Sequence, residues 1–160
     1  MDRIWAPWRY AYVSGAAKSD SCPLCSAHSD REGERSLVVH TGAHAFVVMN
    51  LYPYNAGHVM VAPIRHLGRL TDATPEELAE IMELTRRLEG VLTEAYRPDG
   101  INIGMNLGRS AGAGIADHIH LHVVPRWTGD TNFMTTLSGT RVISEDPWKA
   151  RDHLRGFFPS

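Results

Sequence analysis

Short runs of apolar residues, separated by turn-forming residues, dominate the first half of the chain. Three such runs cover residues 37–40, 45–49 and 58–62, and Gly42 and Pro53 lie in the turns between them. Short apolar runs bounded by glycine, proline and asparagine are typical of strands joined by tight connections. The pattern therefore predicts three antiparallel strands.

A different period begins at Thr74. From there to Leu92, apolar positions recur at three- and four-residue intervals, which is the spacing of one helix face. Thr74 can cap this helix, Pro75 suits its first position, and Glu77 completes a capping box. Proline disfavours helical geometry in the residue before it, so the helix should end ahead of Pro98. We predict one long helix here.

The period changes again after residue 100. Apolar and polar side chains alternate over residues 101–107, which predicts a strand with one polar face. A glycine-rich loop follows at 108–114, and the sequence Asp-His-Ile-His-Leu-His-Val-Val-Pro-Arg at 117–126 is again a strand pattern. Together these signals predict an α+β fold: an antiparallel sheet of about five strands, one long helix and a short second helix.

Composition and charge are those of one ordinary domain. The chain has 160 residues, 43% of them hydrophobic, and a net charge of −2. We expect a single domain over 1–160, with an N-terminal segment at 1–36, a core at 37–125 and a C-terminal tail at 126–160. Without a basic field, neither nucleic acid nor an anionic membrane is an expected partner.

The start of the chain lacks the charged-then-apolar layout of a signal peptide, and no apolar run is long enough to span a membrane. The only cysteines, Cys22 and Cys25, form one Cys-x-x-Cys, which excludes a disulfide framework. We therefore expect a reducing, cytoplasmic location. The first 20 residues are rich in tryptophan and tyrosine, and we expect these rings to dock on the domain or on a partner subunit.

Three histidines, His118, His120 and His122, occupy alternate positions of the last predicted strand. Because successive side chains of a strand point to opposite faces, the three imidazoles should line one face, roughly 7 Å apart. Imidazole changes charge near neutral pH and can serve as nucleophile, acid, base or metal ligand. This pattern predicts a functional site.

Local chemistry leaves three kinds of site open. The glycine-rich loop can bring backbone N–H groups, Ser110 and Asn106 to a phosphate, which favours attack by a ring nitrogen and a phosphoramidate intermediate. His120 is then the best-placed nucleophile, since an imidazole flanks it on each side. The same spacing suits a zinc-dependent phosphohydrolase with the three histidines as metal ligands. A non-catalytic nucleotide-binding module is the third possibility.

The sequence at 117–126 resembles the signature of the histidine triad (HIT) superfamily of nucleotide hydrolases and transferases. Residues 50–63, with an asparagine, then Gly-His, then an apolar strand ending in proline, are similar to that family's strand-crossing segment. The opening Ile-Trp-Ala-Pro-Trp-Arg-Tyr and the Asn-Leu-Gly-Arg-Ser-Ala-Gly at 106–112 resemble one branch, the bacterial diadenosine tetraphosphate phosphorylases (ATP adenylyltransferases). The resemblance runs from about residue 3 to residue 133.

The resemblance implies a nucleotidyl hydrolase or transferase that acts on dinucleoside polyphosphates or other adenylated compounds through a nucleotidyl-histidine intermediate. In this family pattern His120 is the nucleophile. His122 contacts the phosphate and helps to protonate the leaving group, and His118 orients the site. His58 fixes the triad from behind, and Asn50 binds the ribose hydroxyls.

The resemblance also implies a phosphate-side wall after the predicted strand at 101–107. Many relatives have Gly-Gln before the triad, whereas this chain has Gly114-Ile115. The phosphate contact must then come from the backbone, Ser110 or Arg109. The positions of this wall are Asn106, Gly108, Ser110, Gly112 and Gly114.

The Cys-x-x-Cys leaves a redox pair, two unbonded thiols or a zinc knuckle open. A redox pair would need a preceding strand and an immediate helix, and the flanks here are polar and loop-like. The resemblance implies a structural zinc site with four protein ligands and no open position for water, and a homodimer. The implied ligands are Cys22, Cys25, His66 and His118.

Overall fold

A computed structural model of the chain describes residues 21–130 and 145–158. The aromatic residues expected to dock within 1–20 lie outside the described residues, as does the end of the resemblance at 133. The elements follow in the order α1 (Pro23–Ser29), β1 (Val38–Thr41), β2 (Ala45–Met49), β3 (Val59–Pro63), α2 (Pro75–Tyr96), β4 (Gly100–Met105), β5 (Leu121–Arg126) and α3 (Pro147–Arg155). Short 3₁₀ turns lie at Leu70–Asp72 and Arg109–Ala111.

The five strands form one antiparallel sheet in the order β1-β2-β3-β5-β4. The α+β fold and the five-stranded sheet are therefore confirmed. Within the described part of the chain there are two short helices, α1 and α3, where one was predicted. β3 lies at the centre of the sheet, and β5, the strand that carries His122, lies between β3 and β4.

The long helix α2 forms as its sequence predicts. The Thr74 hydroxyl accepts a hydrogen bond from the Glu77 amide, and the Glu77 carboxylate accepts one from the Thr74 amide. The helix ends at Tyr96, and Arg97 closes it in the left-handed region with φ 47°, ahead of Pro98. Like the other described helices, α2 is not of the length and apolarity needed to cross a membrane.

The two faces of the sheet are covered by different helices. α2 and α3 pack on one face, where Leu88, Leu92 and Leu154 are fully buried. Leu24 of α1 packs on the other face with apolar residues of β1, β2 and β3. Both Leu24 and Leu154 lie outside residues 37–125, so buried core residues extend beyond that range. The face under α1 also carries His122, because its neighbours across the sheet are Met60 and Gly104.

The prediction that one regular strand carries all three histidines is wrong. β5 begins at Leu121, so His118 and His120 precede the strand. The β3–β5 ladder ends at the pair Val61–Leu121, two residues before Pro63, which has no N–H to donate. The backbone amide of Ile119 donates instead to the carbonyl of Leu67, at 2.8 Å. The imidazoles are thus free to turn to different surroundings.

Candidate active site and metal centre

Two of the predicted catalytic histidines are in direct contact. His58, fully buried and directly ahead of β3, has its Nε2 2.9 Å from Nδ1 of His122 in β5. His120 lies beside them, with its ring centroid 4.9 Å from that of His122 and the two rings nearly perpendicular. The structure therefore brings together His58, His120 and His122, as expected for one site.

The proton positions in the His58–His122 pair follow from a backbone amide. The amide of Tyr54 donates to Nδ1 of His58 at 3.0 Å, so that nitrogen is an acceptor and carries no proton. The proton of His58 is then on Nε2, which donates to Nδ1 of His122. His122 in turn holds its own proton on Nε2. One backbone N–H thereby sets the tautomer of two imidazoles.

His120 is held in the opposite tautomer. Its Nδ1 lies 2.8 Å from the carbonyl oxygen of His118, which can only accept, so Nδ1 carries the proton. Its Nε2 therefore has a lone pair, and it makes no hydrogen bond to any residue in 21–130 or 145–158. A neutral imidazole with a free ring nitrogen is the form needed for nucleophilic attack.

Burial keeps these imidazoles neutral. It lowers the pKa of His122 to about 4, and the neighbouring His120 acts in the same direction. Burial also lowers the pKa of His120, against the opposite effect of its bond to the His118 carbonyl. At neutral pH both rings are therefore uncharged, in agreement with the hydrogen bonds.

The segment between β2 and β3, residues 50–58, forms the rim of the site. The Asn50 side-chain oxygen accepts a hydrogen bond from the Tyr52 amide at 2.9 Å, which orients its amide group. The ring of Tyr54 contacts the rings of both His58 and His122, with centroids 4.6 and 5.7 Å away. Leu51 and Tyr52 are exposed, as is Tyr54. The predicted ribose-binding residue thus lies on the same segment as His58.

The glycine-rich loop leaves β4 next to the histidines. Gly104 pairs with His122, and Asn106 follows two residues later, just beyond the end of β4. Gly108 and Gly112 both have positive φ, 82° and 92°, which glycine adopts without strain. The amides at 111–113 make hydrogen bonds within the turn. The amides at 109–110 take no part in these bonds, and the Ser110 side chain is exposed.

The four predicted metal ligands meet in one place. The ligand atoms of Cys22, Cys25, His66 and His118 all lie within 4.8 Å of one another. Nδ1 of His118 is 3.3 Å from Sγ of Cys22 and 3.5 Å from Sγ of Cys25. Nδ1 of His66 is 3.4 Å from Sγ of Cys25. Neither His120 nor His122 belongs to this group in the described chain, so the arrangement gives no support to a three-histidine metal site.

The donor set fits a tetrahedral zinc ion. With Zn–S bonds of about 2.3 Å and Zn–N bonds of about 2.0 Å, tetrahedral sulfur and nitrogen ligands are about 3.5 Å apart, close to the three separations above. Nε2 of His118 donates to the carbonyl of Pro63 at 2.8 Å, so its Nδ1 has a lone pair facing the thiols. Such an outer hydrogen bond is what usually orients a metal-bound imidazole. The two cysteines are not bonded to each other.

Three further residues contact or support the site of His58, His120 and His122 and were not predicted from the sequence. The Tyr54 ring lies against the rings of His58 and His122, and Asn55 and Asp130 join the rim to the turn after β5. The Arg126 and Asp130 charges, four residues apart beyond a strand, are a signal that could have indicated an ion pair. Nothing in the sequence indicates that Asn55 meets Asp130, because 75 residues separate them.

Comparison with known proteins places the chain in a family. Residues 31–129 match the HIT domain. An AP-4-A phosphorylase of Mycobacterium tuberculosis is 44% identical over 157 residues, covering 91% of this chain and 78% of that protein. A bis(5'-adenosyl)-triphosphatase of Dictyostelium discoideum is 34% identical over 92 residues, 58% of this chain and 61% of that protein. A Zn-bound histidine triad family protein of Mycobacterium smegmatis superposes with a TM-score of 0.69 at 28% identity, covering 86% and 93% of the two chains. The chain belongs to the HIT family.

Proposed function

We propose that this protein is a nucleotidyl hydrolase or transferase that acts on dinucleoside polyphosphates such as diadenosine tetraphosphate, through a covalent adduct on His120. The observation that carries the proposal is the set of tautomers at the site. A carbonyl holds the proton of His120 on Nδ1, which leaves Nε2 as the nucleophile. The relatives named as an AP-4-A phosphorylase and a bis(5'-adenosyl)-triphosphatase support the substrate class.

In the first step, the Nε2 lone pair of His120 attacks the α-phosphorus of the nucleotide. A nitrogen–phosphorus bond forms while the bond from phosphorus to the bridging oxygen breaks, and the remaining polyphosphate fragment leaves with that electron pair. The positive charge on the His120 ring is stabilised by its Nδ1–H bond to the His118 carbonyl. The Nε2–H of His122 is the donor available to the leaving oxygen.

In the second step, the oxygen of an acceptor attacks the same phosphorus and forms an oxygen–phosphorus bond. The nitrogen–phosphorus bond breaks, its electron pair returns to Nε2 of His120, and the acceptor oxygen loses its proton. Water as the acceptor gives AMP, and inorganic phosphate gives ADP. In this proposal Asn50 binds the ribose. Asn106, with the loop that contains Gly108, Ser110, Gly112 and Gly114, holds the phosphates.

Zinc in the site of Cys22, Cys25, His66 and His118 is proposed as a structural ion. When bound, it supplies a tetrahedral cross-link with no open position for a reacting water. The four residues join α1, the turn after β3 and the segment ahead of β5. His118 is then both a zinc ligand and, through its carbonyl, the residue that fixes the tautomer of His120.

A homodimer is the proposed assembly. β4 is an edge strand of the described sheet, and its side chain Ile103 is 48% exposed on the face away from the histidines. Leu107, just beyond β4, is 45% exposed. An unpaired edge with exposed apolar side chains favours association with a second copy.

The two unbonded thiols are consistent with the proposed cytoplasmic location, where thiols stay reduced.

Product analysis with and without inorganic phosphate tests the reaction. Diadenosine tetraphosphate with phosphate should give ADP and ATP if phosphate is the acceptor, and AMP and ATP if water is the acceptor. His120→Ala should bind the same nucleotide but form no product. Turnover by the His120→Ala variant would exclude the proposed mechanism.

A further inference from the structure

One carboxylate, Asp130, joins three segments around the site. Its side chain is only 9% exposed and accepts hydrogen bonds from the Arg126 guanidinium, the Trp127 amide and the Asn55 side chain. The distance from Asn55 Nδ2 to Asp130 Oδ2 is 2.8 Å, and the same nitrogen lies 3.2 Å from the carbonyl oxygen of Pro125. Arg126 in turn donates to Asn102 of β4 at 2.7 Å. The carboxylate is therefore largely shielded and accepts several hydrogen bonds, and these bonds, the one from Arg126 first, hold its pKa well below the usual range.

Asn55 is the part of this network that belongs to the rim. The amides of Tyr52 and Tyr54 donate hydrogen bonds to the Asn50 and His58 side chains of the same segment. At its base, Gly57 packs closely against Tyr96 and Pro125, so the segment has little freedom there. Its tip, where the exposed side chains lie, is tied to the triad strand by the Asn55 amide.

We propose that Asn55 and Asp130 are positioning residues that hold the rim against the end of β5 and thereby keep the Asn50 side chain oriented toward the nucleotide. The inference rests on the proposed function for the role of Asn50. The amide of Tyr52 holds the Asn50 oxygen, and it can do so only while the segment keeps its shape. His58 is fully buried and anchored by β3, so the catalytic imidazoles keep their arrangement when the link is removed.

Because the link holds the rim and not the buried imidazoles, its loss should change KM rather than kcat. Asn55→Ala removes the link while leaving the Arg126–Asp130 pair intact, and should raise the KM for diadenosine tetraphosphate about tenfold with kcat within about twofold of wild type. Asp130→Asn should raise KM in the same way. The double variant should be no worse in KM than the more severe single variant, because both changes remove one link.

Hydrogen exchange gives a readout that does not depend on turnover. Asn55→Ala should speed exchange of the Tyr52 and Tyr54 amides about tenfold, while amides of β3 and β5 keep their protection. Glu80→Gln is the matched control. The Glu80 carboxylate also accepts hydrogen bonds from backbone amides, those of residues 43–45, but these lie in the turn between β1 and β2. This variant should lower stability and speed exchange at that turn while KM stays unchanged.

The outcomes separate this inference from the proposed function. If the wild type does not turn over the nucleotide but Asn55→Ala speeds exchange at the rim, the proposed function fails and the structural link stands. If Asn55→Ala leaves both the exchange rates and KM at wild-type values, the positioning role is excluded. A rise in KM that Glu80→Gln reproduces would assign the effect to general stability and also overturn the inference.

Discussion

The hydrogen bond from His58 to His122 is the most informative one to remove. In His58→Phe the aromatic volume is kept, but Nδ1 of His122 loses its donor. A buried acceptor without a partner costs about 1–3 kcal/mol. The His122 ring can avoid this cost by turning over or by moving its proton to Nδ1, and either change removes the Nε2–H donor from the leaving oxygen. If the full cost falls on the transition state, kcat should drop between about 5-fold and about 150-fold.

The matched variant is His58→Gln, whose side-chain amide can place an N–H donor near the original Nε2. It should recover most of the lost kcat, because only the donor to His122 is required. Steady-state kinetics with diadenosine tetraphosphate measures kcat for both variants. The nitrogen chemical shifts of the His122 ring report which nitrogen holds the proton, independently of turnover.

Two results would refute this reasoning. An unchanged kcat in His58→Phe would show that the His58–His122 bond has no part in the reaction. A wild-type spectrum with the His122 proton on Nδ1 would contradict the tautomers derived from the Tyr54 amide.

Three further predictions concern the metal, the pH dependence and the assembly. Removal of zinc with a chelator, or the substitution Cys22→Ser, should lower both the activity and the Tm, the latter by about 10 °C or more in thermal unfolding. Lost activity at an unchanged Tm would instead indicate a catalytic metal. Folding lowers the pKa of His122 from 6.5 to about 4. As the pH falls, His122 therefore binds a proton in the unfolded chain at a higher pH than in the folded chain. The free energy of unfolding should therefore fall as pH decreases from about 6.5 to about 4, by at most about 1.4 kcal/mol per pH unit from this residue, and urea titrations of His122→Asn should show a weaker dependence. Ile103→Lys should halve the mass measured by light scattering, whereas Leu70→Lys, at another exposed apolar position, should leave it unchanged.

Features governed by neighbouring residues could be predicted from the sequence. The start of α2 depends on Thr74, Pro75 and Glu77, which lie within four residues, and all three act as expected. Helix α3 begins with a similar signal, Asp146 capping and Pro147 in the first turn, but its nine residues are too few for a clear apolar period. Its position could therefore not be predicted.

Features that depend on distant parts of the chain could not be predicted from residue patterns. The alternating histidines indicate a strand, but the ladder ends early because Pro63, in another strand, offers no N–H. His118 consequently turns to cysteines 93 and 96 residues away. The approach of Asn55 to Asp130 depends in the same way on tertiary structure. The four candidate zinc ligands were identified only because the sequence resembles a family.

The covalent adduct tests the central claim most directly. Protein mixed with diadenosine tetraphosphate, quenched within the first turnover and analysed by intact-mass and peptide mass spectrometry, should carry one adenylyl group on His120. His120→Ala should carry none. An adenylyl group on another residue, or complete turnover with no adduct at any quench time, would contradict the account.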